Sequence, residues 1–251
     1  MAGHSKWAGI KHKKAIVDAQ RGKVFSKVIR ELTAAARLGG GSIEGNPRLR
    51  LAVQKAREAN LPKDTLEKAI KRGTGELPGV SYEEMVIEVY GPGGVAVLAE
   101  LLTDNKNRTS AEIRSLFTRH GGNVAGAGSV SWQFQKKGVV IVAAAGLNED
   151  RLMEIALEAG AEDLKTEGET ATITTGPTAL EAVKHALQSS SVKWETAELS
   201  MVPSSTVRVE DPAQAKALLA LLNALEDHED SQHVYANFDI PDALLAEYAG
   251  A

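Results

Sequence analysis

No cysteine occurs anywhere in the 251 residues, which excludes disulfides, thiolate zinc sites and thiol nucleophiles together and suits a reducing, cytosolic setting. Long apolar runs are missing too. Val139–Ala145 is among the longest, far short of the roughly 18 residues a membrane-spanning helix needs, so no membrane partner is expected. The opening Met-Ala-Gly-His-Ser-Lys-Trp runs on to Lys11, Lys13 and Lys14 with no apolar segment behind it. A secretory signal is therefore not expected, although a basic, acid-poor start also has the composition of an organelle presequence. Catalytic signatures are lacking as well: there is no Gly-x-Ser-x-Gly elbow and no dinucleotide-binding glycine fingerprint. The triple glycine Gly39-Gly40-Gly41 has no strand before it and no Gly-Lys-Ser/Thr after it, so it reads as a helix cap and joint. Neither an enzyme nor a cofactor is expected.

What is present is an ordinary globular composition, 43% hydrophobic and 25% charged, in a chain long enough for two or three domains. The formal net charge of -4 says little; its distribution says more. Residues 1–73 hold 17 Lys and Arg against 6 Asp and Glu, a net of +11, while the remainder holds 12 against 27, a net of -15. So strong a segregation points to a polyanion as partner of the basic third. The competing reading is a well-solvated helical surface.

Within that third, the spacing predicts a helix over 15–38. Phe25, Val28, Ile29 and Leu32 share one face, and Lys23, Lys27, Arg30 and Arg37 form a cationic row on the opposite one. Asn46-Pro47 predicts a capped second helix, with Leu49, Ala52, Val53 and Ala56 inward and Arg48, Arg50, Lys55 and Arg57 as its charges. Pro62 opens a third helix that Gly73 is expected to stop. Lys71 and Arg72 in its last turn suit either a polyanion contact or simple complementation of the helix dipole. Ahead of helix one lies a basic arm, His4 to Lys14, expected to order on a polyanion. Its Trp7 could stack on a base or plug the helical core. The candidate nucleic-acid contacts are thus Lys6, Trp7, Lys11, His12, Lys13, Lys14, Arg21, Lys23, Lys27, Arg30, Arg37, Arg48, Arg50, Lys71 and Arg72.

These runs carry a resemblance. Ala2-Gly-His-Ser-Lys-Trp7, Arg21-Gly-Lys-Val-Phe25, Ala34-Ala-Ala-Arg-Leu-Gly-Gly-Gly41, Asn46-Pro-Arg-Leu-Arg50 and Ala69-Ile-Lys-Arg-Gly-Thr-Gly75 resemble the YebC/PmpR family. Tyr90-Gly-Pro-Gly-Gly94, Leu102-Thr-Asp-Asn-Lys-Asn-Arg-Thr109 and Val234-Tyr-Ala-Asn-Phe-Asp239 extend the match almost end to end. The resemblance implies a three-domain, DNA-binding transcriptional regulator. It also implies an alternative, because some relatives, among them mitochondrial translational activators of cytochrome c oxidase, are described as ribosome-associated factors that ease synthesis of proline-rich stretches. The partner would then be ribosomal RNA. A protein-interaction module without nucleic-acid binding is the third reading.

The acidic remainder is expected to be α+β. Two strands, Met85–Tyr90 and Val95–Leu101, flank a type II turn at Gly91-Pro92-Gly93-Gly94. A helix follows over about 108–119, with Asn107 as a candidate cap, then a strand at Val130–Phe134. Residues 138–202 read β-α-β-β-α-β, the ferredoxin-like order. A strand at Thr206–Val209, a helix with Leu218, Leu221, Leu222 and Leu225 inward and a closing strand at Val234–Phe238 would complete the interrupted unit. The expected division is a basic helical domain 1–77, a discontinuous middle domain 78–136 plus 204–240, an inserted ferredoxin-like domain 137–203 and a tail 241–251. The family resemblance implies the same layout. Asn105 and Arg108 are a second candidate contact. The run Glu226-Asp227-His228-Glu229-Asp230 with His233 has metal-binding residue types without metal-motif spacing, so it reads as a solvated acidic turn and no metal is expected. The acidic domains are expected to repel the polyanion and to face a protein partner or a basic ribosomal surface.

Overall fold

The structure, a computed structural model, describes residues 18–241 and 243–245, with side chains from residue 22 onward. Among the described residues three helices come first: α1 (Asp18–Gly39), α2 (Pro47–Glu58) and α3 (Lys63–Thr74). Their shared core is built mostly of small residues, Ala35, Ala36, Ala52, Ala56 and Ala69, around Leu32, Leu49 and Val53. Alanine lets helix axes approach closely but buries little apolar surface, so polar joints matter here. Asn46 supplies one. Its side chain accepts the Leu49 N–H at 3.0 Å as the α2 cap and donates to the carbonyls of Ala35 at 2.8 Å and Gly40 at 2.9 Å. Gly40, at φ +81°, closes α1 as expected. Gly73 does not stop α3. It lies inside the helix, where an added Cβ would meet the Thr33 carbonyl and come within 2.7 Å of the Ala36 Cβ, so its smallness allows α1 and α3 to cross. The left-handed cap is Gly75, at φ +85°.

A four-stranded antiparallel sheet follows, in the order β3-β1-β2-β9, from β1 (Glu83–Tyr90), β2 (Ala96–Thr103), β3 (Asn123–Val124) and β9 (Ser231–Ala236). The β1–β2 turn has Gly93 at φ 75°, ψ 8° and a Gly94 N–H donating to the Gly91 carbonyl at 3.1 Å, the geometry of the expected type II turn. One face of the sheet packs on α4 (Lys106–His120) and α7 (Pro212–Asp227) through Val97, Ala99, Leu101, Ile113, Phe117, Leu218 and Leu222. The other face carries a separate cluster, Ala96, Leu98, Tyr235, Val130 and Phe134, with Met201 against it. Central β2 is therefore apolar on both faces, which explains its unbroken hydrophobic run. A short parallel pair, β8 (Val207–Arg208) with β10 (Phe238–Asp239), closes the unit.

The inserted unit has the β-α-β-β-α-β order: β4 (Phe134–Ala143), α5 (Glu149–Glu158), β5 (Ala161–Glu167), β6 (Thr170–Thr175), α6 (Leu180–Ser189) and β7 (Trp194–Pro203). Its strands lie as β5-β6-β4-β7, all antiparallel neighbours, as a ferredoxin-like sheet requires. The fold is thus α+β, three basic helices followed by two α/β sandwiches with the second inserted in the first. One expected strand is corrected. Ser131–Gln133 is a turn of 3-10 helix, and the strand begins at Phe134, running without a break through the expected boundary at 136–137. Carboxylate Glu88 causes the turn. It is buried and accepts the N–H groups of Gly128 (2.7 Å), Val130 (2.6 Å) and Ser131 (2.9 Å), which curls the segment onto β1. Burial alone would raise its pKa; the three backbone donors outweigh that and hold it below the usual carboxylate range.

Candidate nucleic-acid interface

Of the residues singled out in the sequence, Lys6, Trp7, Lys11, His12, Lys13 and Lys14 lie outside the described residues, and Arg21 is described through its backbone alone. The structure sorts the remaining cations into two groups. Arg37, Lys71 and Arg72 are exposed. The close crossing at Gly73, against Thr33, Ala36 and the Arg37 backbone, brings the last turns of α1 and α3 to one end of the helical unit. The linker after α3 folds back over that end, with the Leu77 N–H donating to the Lys71 carbonyl at 3.1 Å.

The other group is engaged within the molecule. Lys23, Lys27 and Arg30, expected as an open cationic row, face the end of α7 and the acidic segment after it. Lys23 pairs with Asp227 at 3.4 Å, and the Lys27 ammonium donates to the Glu226 carbonyl. That carbonyl is among the last four of α7, where a cation also meets the negative end of the helix dipole. Arg30 pairs with Glu229 at 3.2 Å and faces the Asp230 carboxylate at 2.8 Å as an ion pair, its guanidinium carbon 5.8 Å from the Tyr82 ring centroid. Only 13% of the Arg30 side chain remains exposed. Arg48 is held by Glu31 at 2.7 Å and by Glu84, contacts that raise its pKa, and Arg50 donates to the carbonyls of Ile43 and Glu44. The opposite face of α1 packs inward through Phe25, Val28, Ile29 and Leu32, as its periodicity predicts.

The acidic run is a solvated turn only in part: Asp227 and Glu229 are exposed, but Asp230 is buried. Asp230 is 2% exposed and accepts from the Thr109 hydroxyl at 2.6 Å and from Arg108 at 3.2 Å, while its own carbonyl accepts the Leu102 N–H at 2.7 Å. Burial would raise its pKa; the Thr109 and Arg108 donors and the Arg30 and Arg108 charges reverse that and lower it. Arg108, a candidate second contact, thus serves to hold Asp230 and also bridges Asp104 at 2.7 Å. Asn105 is the cap of α4, accepting the Arg108 N–H at 3.1 Å, in place of Asn107. Glu112, His228 and Asp230 lie close enough to offer one ligand atom each to an ion. Two guanidinium groups already flank the carboxylate, so a cation there would meet like charge. His233 stands apart, stacked on Tyr235 with centroids 5.9 Å apart. Burial, then the charge of Lys55, brings its pKa down to about 4. The buried joint between Arg30 and Asp230 was missed in the sequence. Both charge runs, the cations at 23, 27 and 30 and the acids at 226–230, were visible there, but nothing in the sequence paired them.

Known proteins resemble this chain over nearly its whole length. The TACO1/YebC protein N-terminal domain matches residues 5–76, and the TACO1/YebC second and third domain matches residues 82–238. A protein of Syntrophobacter fumaroxidans named probable transcriptional regulatory protein is 53% identical over 249 residues, 99% of this chain and 100% of that one. A protein of Halothermothrix orenii with the same name is 54% identical, covering 98% of each chain. The crystal structure of a conserved hypothetical protein from Aquifex aeolicus aligns over 90% of this chain and 93% of that one, with a TM-score of 0.79 at 49% identity. With three helices, two sandwiches one within the other and matches to both domain models, this chain belongs to the TACO1/YebC family.

Proposed function

We propose that the protein is a cytosolic, non-enzymatic regulator of gene expression that binds nucleic acid through its basic helical unit, as a DNA-binding transcriptional regulator. The observation that carries this reading is the segregation of charge, a net of +11 over residues 1–73 against -15 over the rest. The relatives' name, probable transcriptional regulatory protein, supports it. So does the exposure of Arg37, Lys71 and Arg72 at one end of the helices. Contacts of this kind neutralise phosphates and position a protein without reading bases. The buried ionisable groups Glu88 and Asp230 are taken up by structural partners, which favours binding over catalysis.

Fluorescence anisotropy with duplex DNA and with folded RNA tests the reading. If six to ten phosphates are contacted, affinity falls by roughly 10³–10⁵ between 50 and 200 mM salt. Replacing Arg37, Lys71 and Arg72 with Gln lowers the magnitude of the salt slope by roughly 0.9 per lost phosphate contact on duplex DNA. Unchanged binding in that variant and in a chain lacking residues 1–75 removes the basic unit from the account. Crosslinking in cells, followed by sequencing of bound DNA and RNA, identifies the partner. Dominant ribosomal RNA reads would replace the transcriptional reading with a translational one.

A further inference from the structure

We propose that the acidic segment 226–230 is a built-in competitor for the polyanion: it occupies the cationic face of α1, and a phosphate-rich ligand must displace it to reach Lys23, Lys27 and Arg30. The inference rests on the nucleic-acid reading above and adds its regulation. Three observations carry it. First, the segment meets the row residue for residue, Asp227 on Lys23, the Glu226 carbonyl on Lys27, and Glu229 and Asp230 on Arg30. A phosphate chain would present negative oxygens to the same three side chains, so the two occupants exclude each other.

Second, the seat stands without α1. Asp230 is anchored by Thr109, Arg108 and the Leu102 N–H, all from the sandwich that carries it. The helical unit can therefore leave without unfolding either side. Third, the joint is chiefly ionic. Among the described residues, the apolar core of the helices and the cores of the sandwiches are separate clusters, and further cross-links include the Arg30 guanidinium over the Tyr82 ring and the ion pairs Arg48 to Glu84 and Lys55 to Glu198. The pairs at Asp227, Glu229, Glu84 and Glu198 have exposed partners and are individually weak and screened by salt, while the buried Asp230 keeps Arg108 when Arg30 leaves, so such a joint can be exchanged for another polyanion. Closed, the chain shields part of its own binding face; open, it presents the complete cationic row.

The absence of native cysteine makes a direct test simple. Gln54→Cys on α2 and Ser205→Cys before β8 place one dye on each side of the joint, at exposed positions. In low salt, energy transfer reports the docked form, and adding long-chain inorganic polyphosphate or duplex DNA should reduce it. The double variant Asp227→Asn, Glu229→Gln alters residues that are 54% and 73% exposed and should fold normally. It should show reduced transfer without any ligand and bind polyphosphate about fivefold to tenfold more tightly. A control with the same charge change on exposed α5 positions, Glu154→Gln and Glu158→Gln, should do neither. If the double variant behaves like the control and polyphosphate leaves the transfer unchanged, the competitor is ruled out. If polyphosphate opens the joint while DNA and RNA bind neither variant, the competitor stands and the nucleic-acid reading falls.

Discussion

At Gly73 a single hydrogen atom in place of a side chain decides how two helices meet. Gly73→Ala would thrust a methyl group against the Thr33 carbonyl and the Ala36 Cβ, both backed by buried helix. Overpacking of this kind costs about 1–3 kcal/mol, and urea unfolding of the variant should show a lower midpoint by that amount. Asn46→Ala is expected to cost about as much or more, because it removes the α2 cap and the two bonds that tie α2 to the Ala35 and Gly40 carbonyls at the end of α1. His233 sets a pH dependence. Its folded pKa of about 4 lies below the ordinary 6.5, so between those values the unfolded chain takes up a proton that the folded one refuses. Stability is therefore whole above about pH 6.5 and falls as pH drops toward 4, by at most about 3 kcal/mol from this group. An NMR titration of the His233 ring that turned near 6.5 instead would remove this contribution.

Elements were legible in the sequence wherever local chemistry decides them. Asn46-Pro47 opened α2, Gly40 closed α1, and Gly93 shaped the turn between β1 and β2. Readings failed where a distant partner decides. Val130–Phe134 alternates like a strand, yet Glu88, some forty residues earlier, gathers three of the segment's N–H groups and bends it into a turn. Glu88→Ala should accordingly raise hydrogen exchange at the amides of Gly128, Val130 and Ser131 while leaving the β1–β2 ladder protected. The cationic row of α1 was visible as a row but not as a docked one, since nothing in residues 18–39 announces an acidic segment some two hundred positions away. The acids at 226–230 likewise look solvent-facing until Asp230 is seen beneath Arg30 and Arg108.

Across the whole molecule, the ionic joint between helices and sandwich predicts a salt response with two opposing parts. Added salt weakens any phosphate contact, and it also loosens the α1 joint by screening the pairs at Lys23 and Arg30. The open variant, lacking the second part, should lose affinity more steeply between 50 and 200 mM salt than the native chain, a difference that parallel anisotropy titrations would measure. The inserted sandwich is attached quite differently. Its way out and its way back are β4 and β7, paired in register from Phe134 opposite Pro203 to Ile141 opposite Thr196, with a bulge before Val142 opposite Trp194. Their root is packed against the neighbouring sheet by Phe134, Met201 and Tyr235. Two hydrogen-bonded ribbons of that length do not swivel as a loop would; they flex as a cantilever. A push on the distal hairpin at Gly168 would therefore meet a stiff arm whose foot rests on the Tyr235 face of the central sheet.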